Sequence, residues 1–166
     1  MNFFENFNEK KNFILNKKNF YFILSAIIIF TFDRYSKNKI IYDFNENTYF
    51  INNFINFELM WNTGIGFGLL SSNSLLFYNS ISILIGLVIL ILLYVSIFSE
   101  TFDKFIFSMI VGGAIGNFYD RIVFNAVPDF IDLHYENFHW FTFNVADIFI
   151  TIGIIAFLVK GFLLKK

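Results

Sequence analysis

From Leu75 to Phe98 the chain carries no charged residue and only a few polar ones. As a helix, such a run is long enough to cross about 30 Å of hydrocarbon unaided. In water it would be apolar on nearly every side, with no polar face to turn outward. This stretch confines the chain to a membrane-embedded helical fold. The rest of the sequence agrees: 57% of the 166 residues are hydrophobic, 15% are charged and mean hydropathy is +0.61.

Three further apolar stretches accompany it. The first runs from Phe20 to Phe32 and is short, so the helix is expected to continue through Asp33, Arg34 and Lys37 toward Ile41. Another runs from Phe105 to about Tyr119, and the last from about Val145 to Leu164. No small-residue cleavage site follows the first, so it is expected to remain as a span. The expectation is an all-α membrane protein of four transmembrane helices, with residues 1–19 as an N-terminal cytoplasmic tail and 20–166 as a single embedded domain. Lysines orient it. Lys10, Lys11, Lys17 and Lys18 precede the first span, Lys104 sits between the second and third, and Lys160, Lys165 and Lys166 end the last. The positive-inside rule puts both termini on the cytoplasmic side. Segments 33–74 and 120–144 then lie outside, in or beside which fall Asp33, Asp43, Glu46, Glu58, Asp120, Asp129, Asp132, Glu136 and Asp147.

Several function classes are closed off. A formal net charge of -1 gives no basic footprint for nucleic acid. With no cysteine there is no thiolate nucleophile and no Cys metal site. Two histidines, His134 and His139, are too few for a zinc cage without carboxylate help. The abundant Phe and Asn, 27 of the former, read as genomic A+T bias rather than chemistry.

The outer segments hold the chemistry-bearing residues. Tyr49 to Gly68 alternates roughly between apolar and polar and is rich in aromatics, which predicts short strands lying on the membrane, with Tyr49 and Trp61 suited to the headgroup level. Gly64, Gly66 and Gly68 fall at every second position, leaving one strand face bare or marking a loose loop. Gly112 and Gly116 form a small-xxx-small pair suited to close helix packing. Asn117 and Arg121 follow on one helix face, with Asp120 beside them as an alternative interfacial partner for Arg121. Asp33 and Lys37, four apart, form an intrahelical pair that softens the membrane boundary or braces the outer site.

Asp129 and Asp147 are the acids closest to hydrocarbon, where an unpaired carboxylate costs several kcal/mol. A hairpin between the third and fourth helices would bring them together. Two carboxylates in contact share a proton, so one can take a proton from water while the other donates to a carbonyl oxygen. Read from residues alone they are either such a dyad or two solvated loop acids; Asp132 and Glu136 fit the solvated role better.

Five blocks, in order, resemble the lipoprotein signal peptidases, the type II signal peptidase family of bacteria: Asp33-x-x-x-Lys37; Asn62-Thr63-Gly64-Ile65-Gly66-Phe67; Gly112-Gly113-Ala114-x-Gly116-Asn117-x-x-Asp120-Arg121; Val127-x-Asp129-Phe130-Ile131-Asp132; and Phe143-Asn144-x-Ala146-Asp147. The resemblance covers Phe20 to about Leu164. It implies a four-helix membrane aspartyl protease with a small extracytoplasmic β-cradle and a flap-like extramembrane helix, acting on diacylglyceryl-prolipoprotein at the bond before the lipobox cysteine. By the same resemblance Asp129 and Asp147 are the catalytic pair. Asn62, Gly64, Asn117, Asp120, Arg121 and Asn144 bind substrate or support the dyad, and Asp33 and Lys37 give structural support. No metal or cofactor is implied, membrane lipid is the surrounding partner, and a monomer is expected in the inner membrane. The chain departs from the family pattern at Pro128, where Val is usual, and at Gly66, where Ala is usual. A proton-relay or transport subunit is the rival reading of the same acids, and a non-catalytic membrane scaffold is another.

Overall fold

A computed structural model describes residues 16–43, 47–64 and 75–163. Residues 1–15 of the expected tail, Glu46, Gly66, Gly68 and Leu164 to Lys166 lie outside the described residues. Four helices and four strands follow in the order α1 (Lys17–Asp43), β1 (Tyr49–Asn52), β2 (Ile55–Asn62), α2 (Leu75–Phe98), α3 (Thr101–Phe124), β3 (Val127–Tyr135), β4 (Phe138–Phe143) and α4 (Val145–Leu163). α1 passes through Asp33, Arg34 and Lys37 as the sequence predicts, and it begins at Lys17 because the Asn16 side chain caps it, its Oδ1 accepting from the Asn19 amide at 2.8 Å.

Glycine decides how the helices meet. α3 packs against α1, α2 and α4, and a glycine stands at a close approach to each. A methyl on Gly112 would lie 2.8 Å from the Ala26 carbonyl oxygen of α1, and one on Gly113 would lie 2.6 Å from the Ala146 carbonyl oxygen of α4. Gly86 of α2 meets the Phe118 ring, and Gly116 leaves room for the Asp33 carboxylate. The small-xxx-small pair is therefore a packing seam toward α1, with Gly113 turned toward α4.

Between these contacts lies an apolar centre of Phe22, Ile106, Phe107, Ile110 and Val111. The bundle is inverted relative to a protein in water. Phe20, Ile27, Ile28, Leu84, Leu90, Ile91, Ile155 and Leu158 face outward, while Asp33, Lys37, Asp120 and Arg121 are buried. Such an extended apolar exterior suits hydrocarbon. α2 and α4 are long and apolar enough to cross a membrane by length and composition; α1 buries Asp33 and Lys37, and α3 buries Lys104, Asp120 and Arg121.

α2 and α3 are joined by Ser99 and Glu100 alone, and the Lys104 ammonium donates to the Ser96 and Ile97 carbonyls at 2.6 Å each, capping the end of α2. α3 ends at Asn125, in the left-handed region at φ 54°. The strands form one antiparallel sheet in chain order, β1-β2-β3-β4, although α2 and α3 intervene between β2 and β3. Two residues of β2, Glu58 and Leu59, oppose Phe130 alone, a bulge one step from Asp129. Pro128 is tolerated because it sits at the start of β3, where only β2 pairs with it; pairing to β4 begins at Ile131.

The glycine seams set a measurable contrast. Gly113→Ala is expected to cost about 1–3 kcal/mol through overpacking against α4. Gly161→Ala, with nothing within 4 Å, is expected to be neutral or slightly stabilising. Thermal unfolding of the two variants in detergent distinguishes them; equal midpoints would refute the seam.

Candidate active site

Asn144 precedes the first residue of α4 and caps it. Its Oδ1 accepts from the Asp147 amide at 3.1 Å, and Asp147 Oδ2 accepts in return from the Asn144 amide at 3.2 Å. This is a reciprocal capping box, with Asp147 at the third helical position. Helix N-termini carry partial positive charge, so a carboxylate there is favoured. The cap uses the backbone N–H and Oδ1 of Asn144 and leaves its side-chain Nδ2 to donate elsewhere, and this donates to Asp129 Oδ1 at 2.6 Å. One fully buried asparagine thus holds both acids that the sequence singles out.

The remaining donors complete each carboxylate. Asn62, at the end of β2, gives Asp129 Oδ2 a bond of 2.8 Å. Asn62 pairs with Val127 in the ladder, two residues before Asp129, so its side chain reaches diagonally along one strand face. Asn117 of α3 gives Asp147 Oδ1 a bond of 2.8 Å. Asp129 is almost fully buried, and its carboxyl is pushed up to about 6, first by burial and then by the Asp147 charge, against the lowering effect of the Asn62 and Asn144 bonds.

Behind this pair lies a layer of buried charge. The Lys37 ammonium donates to Asp33 Oδ2 at 2.9 Å, Asp120 Oδ2 at 2.8 Å and Asn117 Oδ1 at 2.7 Å. Because Lys37 takes the Asn117 oxygen, the Asn117 nitrogen is oriented toward Asp147. Asp33 Oδ1 accepts the Ala146 amide at 2.9 Å and so ties α1 to the first turn of α4. The Asp33–Lys37 pair thus joins α1 to Asn117 of α3 and to the first turn of α4. Asp120 does not pair with Arg121: its partners are Lys37 and Arg34. Arg121 instead donates to the Asn117 carbonyl at 3.1 Å and, 57 residues away in sequence, to the Gly64 carbonyl at 2.9 Å. Of the three glycines at alternate positions, Gly64 is described; it is buried in a bend just past β2.

Sequence reasoning missed Arg34, which lies against Asp120 and 5.0 Å from the Tyr119 ring centroid. No spacing rule marks it, since its partner is on another helix. Asp132 also departs from expectation. It is buried, not a solvated loop acid, and its Oδ2 lies 2.7 Å from His139 Nδ1. Glu136 is exposed at the β3–β4 turn, in keeping with the solvated role. A cleft of about 590 Å³ opens over β2, β3 and β4; Asn62, Trp61, Asp129, Asp132 and Trp140 are among the residues lining it. Asp147 borders α3 and α4 and does not line this cleft.

Lys37→Met is expected to destabilise the folded protein by about 3–5 kcal/mol, because it strands Asp33 and Asp120 without their shared cation. Thermal unfolding and the yield of folded protein in detergent measure this; a wild-type midpoint would show that Lys37 is dispensable.

Comparison with known proteins places this arrangement among relatives. Residues 25–163 match the family model described as signal peptidase (SPase) II. A lipoprotein signal peptidase of Pelagibacter ubique (strain HTCC1062) is 51% identical over 144 residues, covering 84% of this chain and 87% of that one. Another, from Francisella tularensis subsp. novicida (strain U112), is 36% identical over 164 residues, covering 92% and 98%. Two solved structures described as bacterial membrane enzymes superpose with TM-scores of 0.71 and 0.68, at 32% and 29% identity, the first covering 87% of each chain and the second 84% of this chain and 90% of its own. Sequence match and fold agree over nearly the same span, and the chain belongs to the signal peptidase (SPase) II family.

Proposed function

We propose that this signal peptidase removes the signal peptide from diacylglyceryl-modified bacterial prolipoproteins by aspartyl-type hydrolysis, with Asp129 and Asp147 as the catalytic pair. The observation that carries this reading is Asn144, whose side-chain Nδ2 donates to the Asp129 carboxylate while its backbone N–H donates to the Asp147 carboxylate, so that one residue ties the two acids together. Asp129, raised to about 6, is the partner that holds a proton at and below that pH. Asp147, at a helix N-terminus and accepting from Asn117 and the Asn144 amide, is the partner suited to the anion.

In the proposed step Asp147 takes a proton from a water. The oxygen attacks the carbonyl carbon before the lipid-modified cysteine, and Asp129 donates its proton to the carbonyl oxygen. Collapse of the tetrahedral species returns that proton to Asp129 and delivers the proton held by Asp147 to the leaving amine. Charge balance supports a singly protonated pair. Three cations, Arg34, Lys37 and Arg121, stand among four carboxylates, Asp33, Asp120, Asp129 and Asp147, and one shared proton makes the cluster neutral.

The same reading takes the molecule, from residue 20 to 166, as one embedded peptidase domain, monomeric, with four spans. Both termini are cytoplasmic and the sheet is a cradle at the outer face. Lys18 and Lys104 line one hollow, and Lys160 pairs with Asp103, so the described lysines named for orientation gather at the end of the bundle opposite the sheet. Substrate would enter between helices, with Asn62, Asn117 and Arg121 satisfying its backbone. The transport alternative is disfavoured by the apolar core from Ile106 to Val111, where the described residues offer a proton no step beyond the Ser25–Ser108 bond.

Two measurements test the proposal. Asp129→Asn and Asp147→Asn are each expected to lower cleavage of a diacylated lipobox peptide at least about a thousandfold while leaving a folded protein; near-normal cleavage by either overturns the dyad. Because Asp129 must be protonated to act, kcat/KM is expected to fall as pH rises through about 6. A profile rising through that region would assign the acid role elsewhere.

A further inference from the structure

The β3–β4 hairpin carries a second cluster that the peptide chemistry does not use. Asp132 and His134 are two apart on β3 and project from the same strand face. Register with β4 runs Asp132 to Thr142 and Leu133 to Phe141, then jumps to His134 opposite His139. Trp140 is passed over. In an unbroken ladder His134 would face Trp140; the bulge brings His139 there instead, which is how bulges re-aim side chains.

The result is three metal-ligating groups on one spot. Asp132 Oδ2 lies 2.7 Å from His139 Nδ1 and 3.5 Å from His134 Nδ1, and the two imidazoles stack with centroids 5.4 Å apart. One ligand atom from each residue falls within 4.8 Å of the others. Donors on a tetrahedral ion with bonds of 2.0–2.1 Å stand about 3.3 Å apart, and the observed separations bracket that value. A second observation points the same way. His134 is only 7% exposed, and its Nδ1 is sealed from solvent and makes no hydrogen bond among the described residues, with Asp132 Oδ2 standing off at 3.5 Å. A buried nitrogen left so is costly unless something binds it. The His139 side chain, 55% exposed, leaves one side open for an ion and its water.

We propose that Asp132, His134 and His139 form a divalent transition-metal site, with zinc as the fitting ion. Two imidazole nitrogens and one carboxylate make a three-ligand set with a free fourth position, as zinc takes. Magnesium and calcium favour all-oxygen sets and fit poorly. The site is separate from the Asp129–Asp147 pair and does not depend on its role. Since Asp132 and His139 also line the cleft, a bound ion clamps β4 to β3 along the cleft wall.

Untagged full-length protein in detergent, stripped with chelator and titrated with zinc chloride, tests this. The expected result is one zinc per chain, a rise in thermal midpoint with zinc, and visible absorption when cobalt replaces zinc. His139→Gln, at an exposed side chain, and Asp132→Asn are each expected to weaken zinc binding at least about tenfold and to abolish the midpoint rise. Asp129→Asn is expected to bind zinc as the wild type does. No stoichiometric binding by the wild type, undiminished binding by His139→Gln, or loss of binding in Asp129→Asn would each overturn the proposal.

Discussion

A single buried ammonium holds this molecule's polar interior together. Lys37 has no exposed surface and spends its three protons on Asp33, Asp120 and Asn117. Each of those bonds does a second task. Asp33 reaches the α4 backbone, Asp120 engages Arg34, and Asn117 is turned so that its amide faces Asp147. In low dielectric an unbalanced charge is prohibitive, whereas a balanced network is rigid. The candidate active site inherits its geometry from that balance, since the groups that orient it are themselves locked by charge.

The same constraint explains why small residues fall where they do. Gly116 gives the Asp33 carboxylate space at the α1–α3 seam, and Gly113 lets α3 touch the first turn of α4 at Ala146. A larger residue at either place would separate the carboxylates from their donors before it disturbed the apolar core. Packing and electrostatics are therefore not separate layers here: the glycines set the helix separation at which Lys37, Asn117 and Asp147 can be linked.

Much of this was legible in the sequence, for identifiable reasons. α2 was fixed at both ends because an uncharged apolar run has only one stable fate in lipid, and the continuation of α1 through Asp33 and Lys37 followed from the shortness of its apolar run, Phe20 to Phe32. Asn62, Asn117, Asn144, Asp129 and Asp147 were found through their motifs, and the structure brings them into one hydrogen-bonded set. What stayed hidden depends on tertiary neighbours. Arg34 matters because α3 supplies Asp120, Asp132 is buried on a strand paired on both sides, and a ladder irregularity in β4 sets His139 beside it. Neither a bulge nor a partner on another helix leaves a periodic trace in the chain.

The capping of α4 by Asn144 has an implication for how the protein matures. Asp147 is at once the third residue of a helix and half of the candidate dyad, and Asn144 is at once that helix's first anchor and the tie to Asp129. Starting the helix and assembling the dyad are the same event. On the proposed reading of the pair, a chain whose last helix has not docked would hold its two acids apart, and hydrolytic competence would arrive only with the finished bundle.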